Sequence, residues 1–536
     1  MNLNPTKLIP EETLFLSSLN GSRARGSYST MQFVLRLRDD VRTILDEEQF
    51  DQEWLKANST ALHENIHWWQ NIGSNFGFLL SLANPGFSSM CIDHFKGLVG
   101  KKMLYKPLIE FDKQYHDKYQ KADINEINII LNTYFDFEYA KRFMFDNKNF
   151  EKIYEDKRFF LNMGHCYHVF WSKGINTIAS TTNKGYEFLP DVGEWIPNFQ
   201  DLSNRKVEGF FIESPMTISP LGIKAIYEGQ AIFNQLQYLT LVLDENLGYQ
   251  DFKDQGMLHG MYLEAFELYL HVTGFMEPAN LLDPVVGLFL LVCDMSINPT
   301  NGFPVQVYDY ENFIVKNDPG IRFTLLCKEI KTCSEYYLDL LKEYSKEEYI
   351  KIEAILSKKL GYKSAYDELK SVLKWFDNPE IVDLLQEESV FKYANYNLPI
   401  RVLFSKFLRF QEDKYLHPNV FCWFGLYASS KSTNVEYEIV QNLYKKHHAL
   451  FIDDYDNEVK PVIFEGVEEE NISETFNAFY QYFILLDMIL KWVNEKGEFK
   501  FDYKWLSNKS ADEMIPVIKE DFAKMFKISP NDITIL

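Results

Sequence analysis

The sequence is poor in positive charge and lacks paired cysteines. Lysine and arginine together number 55, against 77 aspartates and glutamates, for a formal charge of −22 at pH 7. Because affinity for nucleic acid comes largely from cations that neutralise phosphates, we expect no general binding of nucleic acid, and none of anionic membranes. The six cysteines are scattered without a close CxxC pair. This spacing excludes a cysteine-rich zinc module and offers no disulfide framework for a secreted protein.

Long apolar runs and a secretory leader are missing as well. The most apolar stretches, 285–292 and 479–493, are too short to span a membrane or are interrupted by Asp487. The N-terminal sequence has no basic region followed by a long apolar stretch and a small-residue cleavage site. We therefore expect a cytoplasmic protein.

The length of 536 residues and the hydrophobic fraction of 46% indicate a globular protein with more than one folding unit. Helical periodicity dominates, so we predict an α+β, predominantly α-helical fold with a small antiparallel sheet. The stretch NPTNGFP, residues 298–304, is the predicted domain boundary. It divides the chain into domains of residues 1–300 and 301–536, of which the second is mainly helical.

The sheet is predicted from alternating residues near the N-terminus. Residues 28–38, YSTMQFVLRLR, place apolar and polar side chains on opposite faces, which predicts one strand. The glycines at 21 and 26 predict a hairpin turn from an earlier strand near 13–16.

Four helices bear on the functional prediction. One is predicted over 59–83 and ends at Asn84-Pro85-Gly86, where the dipeptides favour a turn. A second begins at Ser219-Pro220 and runs to about 244, and a third covers about 256–272. A fourth begins at Asp283-Pro284 and runs to about 298.

The sequence at 63–67, His-Glu-Asn-Ile-His, is an H-E-x-x-H motif. On a helix, the spacing of four places the imidazoles of His63 and His67 on one face, where each can present a nitrogen to one zinc ion. Glu64 lies beside them, close enough to reach a water molecule at the metal. We predict Zn²⁺ as the cofactor and Glu64 as the general base.

A catalytic zinc site takes a third protein ligand. Glu228 is the preferred candidate, because it lies mid-helix beside Gly229 and Ala231, whose small side chains allow close packing of helices. Glu264 and Glu267, in MYLEAFELYLH, are the reserve candidates.

A strand, an H-E-x-x-H helix and a downstream helix with an acidic residue resemble the gluzincin metallopeptidases, the group to which thermolysin belongs. The resemblance implies a zincin-like catalytic domain, His63, His67 and Glu228 as zinc ligands, and Glu64 as catalytic base. It also implies that the 28–38 strand aligns an extended protein or peptide substrate. The sequence departs from the best-known members at Ile232, where they have aspartate, and in its longer separation of the motif from Glu228.

The negative charge that develops on the substrate oxygen needs a further hydrogen-bond donor. Five side chains are of a suitable type: Tyr227, Tyr262, His165, His168 and His259. The pair His165 and His168 is also a weaker alternative metal site.

Two alternatives to a peptidase remain open. The chain can be a catalytically silent scaffold in which the helical C-terminal half binds a partner and the motif is accidental. It can also be a zinc hydrolase with a non-peptide substrate, since the ligands define how water is activated and not what is cleaved.

Overall fold

The computed structural model of the protein describes residues 25–47, 49–115, 118, 124–145, 150–183, 186–243, 245–431 and 435–536. Helices account for 65% of the residues and strands for 4%. The predicted class, α+β and mostly α-helical, is therefore confirmed. The earlier strand predicted near 13–16 lies outside the described residues.

The helices fall along the whole chain. Up to residue 300 they are α1 Asp39–Asp46, α2 Gln52–Gly73, α3 Asn75–Gly100, α4 Leu108–Tyr115, α5 Asn125–Phe145, α6 Phe150–Tyr154, α7 Met163–Ala179, α8 Trp195–Asn204, α9 Ile223–Val242, α10 Tyr249–Asp254, α11 Met261–Thr273 and α12 Pro284–Ile297. Beyond it they are α13 Phe313–Asn317, α14 Pro319–Thr332, α15 Ser334–Asp339, α16 Lys346–Leu360, α17 Ala365–Leu373, α18 Pro379–Val390, α19 Leu398–Leu416, α20 Pro418–Cys422, α21 Phe424–Tyr427, α22 Tyr437–Lys446, α23 Glu469–Asn494 and α24 Ala511–Phe526.

Two small sheets accompany the helices. Their strands are β1 Gly26–Ser29, β2 Val34–Leu37, β3 Tyr105–Lys106, β4 Phe451–Asp453, β5 Val459–Pro461 and β6 Thr534–Ile535. The larger sheet has the order β1-β2-β4-β5, in which β2 and β4 are parallel and the other pairs antiparallel. The predicted antiparallel sheet is thus wrong in one pairing. The parallel pair joins segments more than four hundred residues apart, beyond the reach of local patterns.

The single strand predicted over 28–38 is a hairpin of β1 and β2. The chain turns between them, where the Phe33 N–H donates to the Ser29 carbonyl at 2.7 Å and the Gln32 N–H donates to Ser29 Oγ at 3.1 Å. Phe33 has a φ of 60°. The prediction failed because both faces of this region are covered: Gln32 and Arg36 are as buried as their apolar neighbours.

A buried ion cluster joins the N-terminal hairpin to the C-terminal strand. Arg42 Nη2 donates to Asp453 Oδ1 at 2.5 Å, and Arg36 Nη1 lies 3.7 Å from Asp453 Oδ2. The Leu37 N–H donates to the same carboxylate at 3.1 Å. All three charged side chains are buried, so the carboxylate compensates two guanidinium charges that water does not reach.

The helix predicted over 59–83 breaks earlier than expected, at Ser74. Ser74 Oγ accepts from the Gly77 N–H at 2.9 Å and donates to the Gln70 carbonyl at 2.6 Å, so one side chain caps α3 and closes α2. The sequence Asn84-Pro85-Gly86 does not end α3. Residues 75–88 are all buried, and tertiary packing overrides the local preference for a turn.

Of two other predicted helix starts, one is confirmed and one is wrong. The predicted start of α12 is confirmed, since Asp283 Oδ1 accepts from the Val285 N–H at 2.9 Å and Pro284 is the first helical residue. The predicted start of α9 is wrong, because the helix begins at Ile223 with Gly222 as its cap. Ser219 instead accepts from the Leu221 N–H in the preceding turn.

The predicted boundary at 298–304 is buried throughout. Residues on both sides of it belong to one hydrophobic core, which extends from Tyr28 to Ile533. The division into two domains stays a prediction, but the two parts share that core. None of the helices within the described ranges has the length and apolar character that crossing a membrane requires.

Replacing Asp453 with asparagine tests the ion cluster. Asp453→Asn leaves the buried guanidinium groups of Arg36 and Arg42 poorly compensated, so we expect the free energy of unfolding to fall by about 3 kcal/mol or more. Urea denaturation measures this loss. The matched control is Asp454→Asn, whose partner Lys460 is exposed, and which we expect to cost less than about 1 kcal/mol. Equal losses in the two variants would contradict this account.

Candidate metal centre

Helix α2 carries the H-E-x-x-H motif in its second half. The helix begins after Asp51, whose carboxylate accepts from the Trp54 N–H at 2.9 Å. From residue 62 to its end every residue is buried, so the motif lies inside the protein. His63 and His67, one turn apart, project from the same face.

Helix α9 brings Glu228 to that face. A Cβ added at Gly229 would lie 3.1 Å from Phe289 Cζ and 3.4 Å from Ala265 Cβ, so α9 approaches both α11 and α12 closely at this position. This contact confirms the packing role predicted for Gly229. The other side of α9 is joined to α2, where Gln235 Nε2 donates to Ser59 Oγ at 3.0 Å.

The three side chains form a nearly equilateral triangle. His63 Nε2 and His67 Nε2 are 3.2 Å apart, and Glu228 Oε2 lies 3.5 Å from the first and 3.4 Å from the second. Both histidines are buried, and the Glu228 side chain is 21% exposed. Two imidazole lone pairs and a carboxylate at these separations repel one another unless a cation or a proton lies among them.

The triangle fits a zinc ion. Four ligands at the corners of a tetrahedron, each about 2.0–2.1 Å from zinc, lie roughly 3.3 Å from one another. The three observed separations match that edge length. Two imidazoles and one carboxylate are also the donor set of known catalytic zinc sites, which leave a fourth position open. Within the described residues, no other group of three such side chains comes together.

Gln70 orients His67. Its amide nitrogen donates to the Tyr227 carbonyl at 2.9 Å and to Gln230 Oε1 at 3.0 Å. Since both amide hydrogens are used, Gln70 Oε1 faces His67 Nδ1, 2.8 Å away, and accepts its proton. This hydrogen bond keeps a proton on Nδ1, so Nε2, which faces the centre, is the nitrogen that gives up its proton when a metal binds, an arrangement typical of metal-ligating histidines.

Glu64 lies against strand β1. A Cβ added at Gly26 would lie 2.8 Å from Glu64 Cγ and 2.9 Å from Glu64 Oε1, so only glycine allows the strand to approach this carboxylate. Burial raises the pKa of Glu64 and the charge of Glu228 adds to the effect, while His63 and His67 oppose it. A raised pKa is what a general base near neutral pH needs.

Of the five candidate hydrogen-bond donors, the structure places only some beside the metal centre. The Tyr262 ring meets the His63 ring edge to face, with centroids 6.0 Å apart, and His259 meets Tyr262 at 5.5 Å. The Tyr227 hydroxyl points to the Gln70 carbonyl instead, at 3.4 Å. The other two lie elsewhere: His165 Nε2 is 3.2 Å from Asp136 Oδ2, and His168 stacks on Phe199.

The reserve ligands and the alternative metal site are not part of the cluster. Glu264 and Glu267 are on α11 but do not join the group of three ligand atoms, and Glu267 is exposed. His165 and His168 gain no third ligand within the described part of the chain.

Sequence reasoning missed the support that the C-terminal half gives to α2. Asn65 Oδ1 accepts from the Ala449 N–H at 2.8 Å, and Trp69 Nε1 donates to the His447 carbonyl at 2.7 Å. These contacts hold the face of α2 opposite the centre. They join residues almost four hundred positions apart, and no local sequence pattern predicts them. Gln70 could have been found from the sequence, because a polar residue three positions after His67 lies about one turn along the same helical face.

Comparisons of the chain with protein-family models, curated proteins and solved structures find no match. The resemblance to gluzincins therefore stays an expectation that depends on the H-E-x-x-H sequence and on the residues clustered around it.

Zinc binding is expected to depend on pH. Burial opposes protonation of His67, but the charge and hydrogen bond of Glu228 raise its pKa to about 9 in the metal-free protein. His67 is thus protonated at pH 7, and a metal must displace that proton. We expect about one proton released per zinc at pH 7, and an apparent affinity that rises about tenfold per pH unit from 7 to 9. Calorimetry in buffers of different ionisation enthalpy measures both. An affinity that does not change over this range would contradict the pairing of His67 with Glu228.

Proposed function

We propose that the protein is a zinc-dependent metallopeptidase with a zincin-like catalytic region in its first 300 residues. The observation that carries the proposal is the triangle of His63 Nε2, His67 Nε2 and Glu228 Oε2, with edges of 3.2–3.5 Å and Glu64 beside it. The donor set supports zinc over magnesium or calcium, since those ions prefer oxygen ligands alone.

The edge strand supports a peptide as substrate. In the order β1-β2-β4-β5, strand β1 is at one end of the sheet, and its Gly26 touches Glu64. An extended peptide can add to such an edge through main-chain hydrogen bonds. A bond aligned in this way would lie beside the proposed base. This contact favours a peptidase over a hydrolase of non-peptide substrates.

The proposed mechanism assigns one proton path to Glu64. Zinc, when bound, would polarise the scissile carbonyl and acidify a water molecule. The Glu64 carboxylate accepts a proton from that water molecule while the water oxygen forms a bond to the carbonyl carbon. Glu64 then gives the proton to the amide nitrogen, the C–N bond breaks, and the products are a carboxylate and an amine. His63 Nε2 and His67 Nε2 would hold the metal together with Glu228, and Gln70 keeps a proton on His67 Nδ1.

The state of the cysteines supports a proposal about the cellular compartment of the protein. All six are free, and five of them are buried. Free thiols favour a reducing compartment, so the cytoplasm is part of the proposal, with a protein or peptide of that compartment as substrate.

The ligand assignment is tested by zinc content. We expect about one zinc per chain in protein purified without chelator. Glu228→Ala should weaken zinc binding at least 10- to 100-fold, the scale seen when even the outer partners of a metal ligand are removed. The matched control is Glu267→Ala, an exposed carboxylate on the neighbouring helix, which should keep its zinc. Elemental analysis and a competing chelator give the measurement. Full zinc occupancy in Glu228→Ala would remove this residue from the site.

The role of Glu64 is tested by Glu64→Gln. Glutamine keeps the size of the side chain but cannot accept the proton, so turnover should fall about 100-fold or more while zinc stays bound. A peptide library read by mass spectrometry provides the substrate. Zinc-loaded Glu64→Gln with wild-type turnover would contradict the peptidase mechanism. Zinc-loaded wild-type protein that binds a peptide but never cleaves it would favour the silent scaffold.

A further inference from the structure

Helix α9 is open to solvent beside the centre only along one short strip. Between residues 223 and 240, all of which the structure describes, every residue is buried except Lys224 and Glu228. These two lie four positions apart, so their side chains project from the same face of the helix. The Glu228 side chain is 21% exposed, which makes this strip the part of α9 that a substrate reaches. A substrate at the proposed metal ligand of α9 therefore lies beside Lys224 as well.

Lys224 is the single cation of α9. It lies in the first turn, after Gly222, which offers no side-chain cap. Because the N-terminal end of a helix already carries a partial positive charge, a lysine at this position does not favour the helix. The carboxylates of Glu64 and Glu228 together would offset the two positive charges of a bound zinc ion. Lys224 then adds a net positive charge at this end of the centre.

Strand β1 follows helix α2 in the same direction. Gly26 lies against Glu64, and two residues further along the strand the Tyr28 ring lies 6.3 Å from the Trp68 ring, measured between centroids. A peptide added to the free edge of β1, as proposed above, would therefore extend along the axis of α2. Beyond Glu64 it would continue towards the end of that helix.

Helix α9 runs beside α2 in the opposite direction. Gln70 Nε2 donates to the Tyr227 carbonyl at 2.9 Å, whereas Ser59, three turns earlier on α2, accepts from Gln235 at 3.0 Å. Towards the end of α2, the exposed strip of α9 thus leads from the proposed metal ligand to Lys224. A peptide extended along α2 would pass the metal ligand first and the lysine next.

The spacing along the strip fits the repeat of an extended peptide. Four residues of helix rise about 6 Å, and two residues of extended chain advance about 6.6 Å. Side chains two residues apart in such a chain point to the same side. A substrate whose scissile carbonyl lies at the centre would present to Lys224 a group about two residues away.

We infer that Lys224 is a specificity-determining residue of the proposed peptidase, and that its ammonium group binds a substrate carboxylate about two residues from the scissile bond. The inference rests on the proposed function and names the substrate class. This class comprises peptides with an acidic side chain at that position, or with their C-terminal carboxylate there. Carboxylates are the anionic groups of unmodified peptides, and an ammonium forms charge-assisted hydrogen bonds with them.

The test compares peptides that differ at one position. A cleaved library sequence is prepared with Glu or Gln two residues from the scissile bond, on either side of it. On one side, wild type should cleave the Glu peptide with a kcat/KM about tenfold above that of the Gln peptide, the scale of one hydrogen bond to a charged group. Lys224→Arg should keep this preference, Lys224→Met should remove it, and Lys224→Glu should reverse it in favour of lysine at that position.

The matched control is Lys253→Met. Lys253, on α10, lies 2.8 Å from the Glu277 carboxylate, and its replacement also removes one positive charge from the N-terminal half of the chain. This variant should keep the wild-type preference.

A binding measurement tests the same contact without turnover. Zinc-loaded Glu64→Gln should bind the Glu peptide about tenfold more tightly than the Gln peptide, and adding Lys224→Met should abolish the difference. The difference should also shrink in about 1 M salt, which screens charges beyond about 3 Å. Peptides that end at this position, with a free or an amidated C-terminus, distinguish a terminal carboxylate from that of a side chain.

The outcomes separate the two claims. If wild type does not distinguish the Glu from the Gln peptides, nor the free from the amidated ones, the inference is overturned and the proposed function stands. An acidic preference that persists in Lys224→Met would overturn it too. Loss of zinc in Lys224→Met would assign the lysine to the support of the centre, which also contradicts the inference. A zinc-loaded wild type that neither cleaves the library nor binds these peptides would contradict the proposed function, and the inference with it.

Discussion

The centre depends on the contact between helices α2 and α9, and beside the metal ligands Gln70 joins the two helices. One side-chain amide donates to the Tyr227 carbonyl and to Gln230, and its oxygen accepts from His67. The same residue therefore links the two helices and keeps a proton on Nδ1 of His67. Since Gln70 is buried, loss of either set of hydrogen bonds would leave a polar group unsatisfied, which keeps the arrangement in place.

Elements distant in sequence surround this contact. Strand β1 limits the position of Glu64 through Gly26, and the chain at His447 and Ala449 holds the opposite face of α2. Two residues after Ala449, strand β4 begins and pairs with β2. The C-terminal half is thus part of the support of the centre, and a fragment of residues 1–300 alone would lack it.

The sequence was sufficient for the features that local chemistry determines. The H-E-x-x-H spacing predicted two imidazoles on one helical face, Asp283-Pro284 predicted a helix start, and the small side chain of Gly229 predicted a close helix contact. The features it missed depend on distant partners: the turn at Phe33 within a strand-like pattern, the path of α3 through Pro85, and the parallel pairing of β2 with β4. In each case burial against remote segments decided the conformation, and local preference did not.

The central claim is that His63, His67 and Glu228 bind one zinc ion. X-ray absorption at the zinc edge, on protein loaded with one equivalent of zinc, measures the ligands directly. The account predicts two imidazole nitrogens and at least one oxygen at about 2.0–2.2 Å, with the imidazole signal reduced in His63→Ala and in His67→Ala. A spectrum of oxygen ligands alone, or one with sulfur at about 2.3 Å, would place the metal elsewhere and contradict the account.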